Sequence, residues 1–171
     1  MFRAIVFFGL ITLAFAGATL DALVNAAAKF SIAMKQQLEV LASSPSPTEF
    51  AGKTIAYAEA KTAYFAGMRS AIPELINIAT GREARPPELD NLAEAFSLAG
   101  EKQEHLAEAQ TLILLKQFLP NPDVEKAREE FESAQKVQES FHKDFDGQDF
   151  TRRYLHRWQV SVGVHPEETV K

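Results

Sequence analysis

Leu119-Pro120-Asn121-Pro122-Asp123 decides the reading of this chain, because it interrupts a helical pattern that otherwise runs from Pro87 to Asp146. Pro120 ends the helix before it. Asn121 is a good N-cap, and Pro122 falls on the first helical position, where its missing N–H costs nothing. Before the break, Leu89, Leu92, Phe96, Ala99, Leu106 and Ile113 recur on one helical face. After it, Val124, Ala127, Phe131, Ala134, Phe141 and Phe145 do the same. So short a connection makes the two arms antiparallel. Their register pairs Phe96 with Phe145, Leu106 with the region of Ala134, and Gln103 with Gln138. A polar layer of Gln103 and Gln138, with Gln110 nearby, is therefore expected in an apolar seam. Such a layer commonly fixes register.

Upstream, Leu20, Leu23, Ala27, Phe30, Met34, Leu38 and Leu41 make a near-heptad stripe over a helix expected from about Leu20 to Ala42, with Thr19 as its cap. Ser46-Pro47-Thr48-Glu49 has capping-box spacing and starts the next helix. That helix carries Ala51, Ile55, Ala58, Phe65, Met68 and Ile72 on one face, with Tyr57 and Tyr64 flanking it. Pro73 should kink or restart the helix. A short segment from Glu74 to Thr80 then closes at Gly81, a C-terminal cap.

Residues 1–18 read as a signal peptide: Arg3 as the positive region, an apolar run from Ala4 to Phe15, and Ala14-Phe15-Ala16 as the cleavage site. The apolar run is about 12 residues against the ~20 needed to span a bilayer, and an uncleaved anchor is the alternative. Cleavage after Ala16 removes Arg3 and takes the net charge from −5 to −6. The expected organisation is all-α. Residues 1–18 are the signal peptide. Residues 19–149 form an up-down antiparallel four-helix bundle with one extra short helix, and 150–171 form a basic, aromatic C-terminal tail.

The chain has no cysteine, which rules out disulfides, thiolate catalysis, zinc–thiolate sites and cysteine-held haem or iron–sulfur clusters. Export without cysteine points to a periplasm or to secretion. The mild negative charge argues against nonspecific nucleic-acid binding. No Gly-rich phosphate loop, serine elbow or H-E-x-x-H is present in the sequence.

Candidate metal ligands are Glu101, His105 and Glu108 on one helix and Glu139 and His142 on the next, at i,i+3 and i,i+4 spacings that place ligands together. Di-iron bundles use Glu-x-x-His twice, and here it occurs once. With Leu106 in the core, Glu101, His105 and Glu108 turn to solvent, Glu139 faces outward and His142 lies beside the seam, so these are first read as solvated helix surface.

Arg152, Arg153, Tyr154, His156, Arg157 and Trp158 mix guanidinium groups with large rings, a composition enriched at protein interfaces and compatible with anionic lipid. Arg82 and Arg85, in a proline-rich connector, are a second contact surface. The expected function is therefore an exported, non-enzymatic helical bundle without a cofactor that binds another protein, with peripheral membrane contact as a further use of the tail. A metal or small-ligand carrier is the second reading, and an all-α exported enzyme the third.

Overall fold

The computed structural model describes residues 3–79, 81–84 and 98–146, with side chains described over 19–78, 81–84 and 102–143. It consists of four helices with no strand among the described residues: α1 (Arg3–Ala42), α2 (Pro47–Ala79), α3 (Leu98–Phe118) and α4 (Pro122–Asp146). Among the described residues, no helix is long and apolar enough to cross a membrane.

The expected caps form. The Ser46 hydroxyl accepts the Glu49 N–H at 3.2 Å and starts α2. Asn121 Oδ1 accepts the N–H groups of Asp123 at 3.0 Å and Val124 at 3.4 Å, and starts α4. Gly81, at φ 72°, donates to the Ile78 carbonyl, and Arg82 donates to that of Asn77. This pair of bonds satisfies carbonyls at the C-terminus of α2, and only glycine adopts that backbone without strain.

Two boundaries differ from expectation. Pro73 lies inside α2, which continues unbroken to Ala79, so the separate short helix is not present. The proline sits on the exposed side, while Ala71 and Leu75 keep the helix packed on both sides of it. Burial there outweighs the cost of a lost backbone hydrogen bond, about 3 kcal/mol. The backbone of α1 is helical from Arg3, so no helix start falls at Thr19. The side chains of residues 1–18, the expected signal peptide, lie outside those described.

The centre of the fold is α2 rather than the α3–α4 hairpin. It packs most closely against α1 and α4, while α3 approaches its own hairpin partner α4 only loosely. Leu23 lies 3.6 Å from where a Cβ on Gly67 would stand, and Gln37 reaches Thr54, so α1 and α2 run antiparallel. Thr48 donates to Asp123, Tyr57 stacks on Phe131, and Phe65 meets Phe141. The nearly constant offset of those pairs makes α2 and α4 parallel neighbours.

The core alternates aromatic and polar layers. Phe30 stacks on both Tyr57 and Tyr64, at centroid distances of 5.7 and 5.2 Å. Tyr57 and Tyr64, expected at the flanks, are buried. So are Phe50, Thr54 and Lys61, which share a heptad with Tyr57 and Tyr64 that runs on to Met68, Ala71 and Leu75. The stripes of α1 and α4 behave as expected from Leu20 to Met34 and from Val124 to Phe141.

The stripe of α3 does not: Leu106 and Ile113 are 49% and 55% exposed, and Ala107, Thr111 and Leu115 are buried in their place. The Leu112-Ile113-Leu114-Leu115 run is apolar on every face, so it gives no contrast from which to set the phase. Phe96, Ala99 and Phe145 lie outside the described side chains.

Candidate functional site

The inward rotation of α3 creates the most distinctive cluster among the described residues. Lys61 sits in the middle of α2 at a heptad position that its neighbours fill with tyrosines and Met68, and its side chain is 0% exposed. A buried ammonium needs opposite charge and hydrogen bonds, because leaving water costs several kcal/mol. Two residues one helical turn apart on α3 supply them. Lys61 Nζ lies 3.3 Å from Glu104 Oε1 and bonds Glu108 Oε1. The two glutamates keep 15% and 17% of their side-chain surface. Gln138 of α4 donates its amide to Glu104 Oε1 at 3.2 Å. The ammonium also stands 5.9 Å from the centroid of the Tyr57 ring, a weak cation–π contact.

The cluster perturbs its members in a consistent direction. Burial pushes the Glu104 carboxyl up, Lys61 works against that shift, and Glu108 adds to it. Burial also pushes the Tyr57 phenol up, followed by the negative fields of Glu104 and Glu108. The Tyr57 hydroxyl is buried with no hydrogen-bond partner among the described groups.

A neutral polar layer lies one step along the bundle. Gln37 of α1 donates its amide to Thr54 Oγ1 of α2 at 3.0 Å and to Thr111 Oγ1 of α3 at 2.9 Å, with all three side chains fully buried. Gln37 Oε1 has no partner among the described residues. At the far end of α2, Glu74 has a buried Oε2 without a partner among the described residues, and its pKa rises to about 7. Burial is the main cause, followed by Glu83 and Asp21.

The sequence candidates are distributed differently. Glu108, expected in solvent, turns inward to Lys61, because the buried face of α3 runs through Ala107 and Thr111. His105 is 81% exposed, 3.9 Å from Glu108 through Nδ1. Glu139 and His142 are exposed on α4, with the His142 ring 5.8 Å from that of Phe65. The side chain of Glu101 lies outside the described set. No group of three His, Cys, Asp or Glu able to hold a metal forms among the described residues.

The expected glutamine pair is also rearranged. Gln103 and Gln110 are exposed, while Gln138 meets Glu104, one residue from its expected partner. Arg82 is exposed beyond α2, and Arg85, Arg152, Arg153, Tyr154, His156, Arg157 and Trp158 lie outside the described residues.

Sequence reasoning passed over Lys61, although its heptad position marked it. A lysine at an interior position calls for carboxylates, and Glu104 and Glu108 are an i,i+4 pair able to supply them. Fold and site together define an all-α protein with a closed, charged interior layer. No protein-family model, curated protein or solved structure matches the chain.

Proposed function

We propose that this chain is an exported, non-enzymatic up-down four-helix bundle that works by binding another protein through its basic, aromatic C-terminal segment. The observation that carries the reading is the closure of the Lys61 cluster on itself. Lys61, Glu104, Glu108 and Gln138 are committed to one another, as Gln37 is to Thr54 and Thr111. Interior polar groups so paired fix which helix faces meet, the usual role of such layers. The alternating helix directions implied by the contacts support the bundle topology.

The recognition role falls to Arg152, Arg153, Tyr154, His156, Arg157 and Trp158, which combine cations with large rings and so suit an acidic protein surface. Arg82 and Arg85 of the connector are a second contact surface. Export rests on the apolar run and cleavage pattern of residues 1–18.

The test is mild crosslinking in the native compartment, followed by mass spectrometry, beside a form lacking residues 151–171. The reading expects a stoichiometric protein partner that disappears with the deletion while helical content is kept. Recovery of the chain alone, or of an equal partner without the tail, refutes it.

A further inference from the structure

The misphased stripe of α3 gives this helix an inverted pattern, with its carboxylates inward and an apolar row outward. Three of the four large apolar side chains exposed among the described residues, Leu106, Leu112 and Ile113, stand on α3. Leu106 and Ile113 are seven residues apart and therefore share a face, about 10 Å from each other along the helix. Ala109, also exposed, lies between them, with Leu112 beside it.

The charge around this row has one sign. Among the described side chains of α3, the carboxylates are those of Glu104 and Glu108, and both turn inward to Lys61. The charged or titratable residues left exposed are Lys102, His105 and Lys116, with neutral glutamines between them. Lys102, Ala109 and Lys116 are spaced by seven, so the two lysines bracket the row, about 21 Å apart. A chain of net charge −5 thus has one helix whose described outer side carries cations and no carboxylate. On α4, by contrast, Glu125, Glu129, Glu130 and Glu139 are exposed.

We infer that the outer side of α3 docks on an anionic lipid surface, with Leu106, Leu112 and Ile113 sunk among the headgroups and Lys102 and Lys116 on lipid phosphates. Size decides for lipid over protein. The row exposes on the order of 300 Å², short of the ~800 Å² per partner of a stable protein interface. A bilayer needs no matching shape, and it takes a helix lying in its plane with the apolar side about 5–10 Å deep. Lysine suits the ends of such a row, because its stem lies along the apolar layer while the ammonium reaches phosphate.

The Lys61 cluster contributes to this surface. By drawing Glu104 and Glu108 inward it keeps from the outer side of α3 two charges that would repel lipid phosphate. The contact is peripheral, and no described helix is long and apolar enough to cross the bilayer. It uses no residue of the C-terminal segment, so it stands or falls apart from the protein-binding role given to that segment.

The test is co-sedimentation of the purified protein with vesicles of phosphatidylcholine, alone or mixed with phosphatidylglycerol. Binding is expected with the mixture only, and it should weaken as salt rises. Lys102→Gln with Lys116→Gln is expected to lower partitioning about 25-fold, roughly fivefold for each cation at an anionic surface. Leu106→Gln with Ile113→Gln is expected to abolish it with circular dichroism in solution unchanged, since both sites are exposed. Lys126→Gln with Lys136→Gln, the same loss of charge at exposed sites of α4, is expected to leave binding near that of the parent. The chain has no cysteine, so Ile113→Cys takes a single environment-sensitive label. Its emission should shift to the blue with the mixed vesicles, and that of a label at Lys126→Cys should not. Equal binding to both vesicles, or to neither, overturns the inference. So do α3 variants that bind like the parent, which move the lipid contact to another part of the chain, and an equal loss in the α4 variant. Self-association that Leu106→Gln with Ile113→Gln removes, without vesicle binding, overturns it in favour of a second copy of the chain.

Discussion

Replacing Lys61 by methionine keeps most of the side-chain volume and removes the ammonium from between Glu104 and Glu108. The two carboxylates then face each other in a setting that retains only 15% and 17% of their side-chain exposure. Breaking a buried ion pair by removing one partner costs about 3–5 kcal/mol, and the residual access to water places this case near 3. At a slope of about 2 kcal/mol per molar, that is a fall of about 1.5 M in the urea midpoint followed by circular dichroism. Lys61→Met combined with Glu104→Leu and Glu108→Leu removes the whole charged layer and should recover most of the loss, since an apolar layer is often as stable as an ionic one.

The effect has a definite pH dependence. The folded-state pKa of Glu104 is already raised, so the cost of ionising it is fully present above that pKa, is relieved as pH falls below it, and is gone below the ordinary glutamate range. Without Lys61 the lowering contribution is gone, and the relief begins at higher pH. The deficit of Lys61→Met should therefore shrink on acidification. A single variant within about 0.5 kcal/mol of the parent at neutral pH refutes the reasoning, because it makes the layer dispensable. A triple variant less stable than the single one does so too.

Three further outcomes follow from the same geometry. Glu74→Gln should stabilise the protein above about pH 7, where ionised Glu74 is a burden, and the gain should vanish as pH falls towards the ordinary glutamate range; a pH series of unfolding midpoints checks this. Thr54→Val and Thr111→Val should each cost about 1 kcal/mol, whereas the triple change with Gln37→Leu, which also removes the orphaned Oε1, should be close to neutral in denaturant titrations. Asn121→Ala should cost about 1 kcal/mol by deleting the cap on α4, read as a lower thermal midpoint.

Much of this architecture was legible because its signals are local. Ser46, Gly81 and Asn121 act on backbone groups a few residues away, so their roles can be read without knowing what packs where. The stripes of α1 and α4 have strong contrast between apolar and charged faces, and their phase is unambiguous. The Leu112–Leu115 run of α3 lacks that contrast, and the phase taken from Leu106 and Ile113 was rotated from the one the fold adopts. That one rotation moved Glu108 from solvent to Lys61 and left Leu106 and Ile113 uncovered. The unbroken helix through Pro73 was hidden for a similar reason: a local penalty was visible and the burial that offsets it was not.

By itself, the sequence determined that the chain is all-α, where three of its helix ends fall, and which faces of α1 and α4 turn inward. These depend on hydrogen bonds and periodicity within a dozen residues. Only the tertiary structure decided that α2 lies at the centre, that α2 and α4 run side by side in parallel, and that Lys61 is held by Glu104, Glu108 and Gln138. Those outcomes depend on the burial of charge and volume between segments far apart in the chain. No local pattern encodes that comparison, because the cost of burying Lys61 is set by which carboxylates the other helices bring to it.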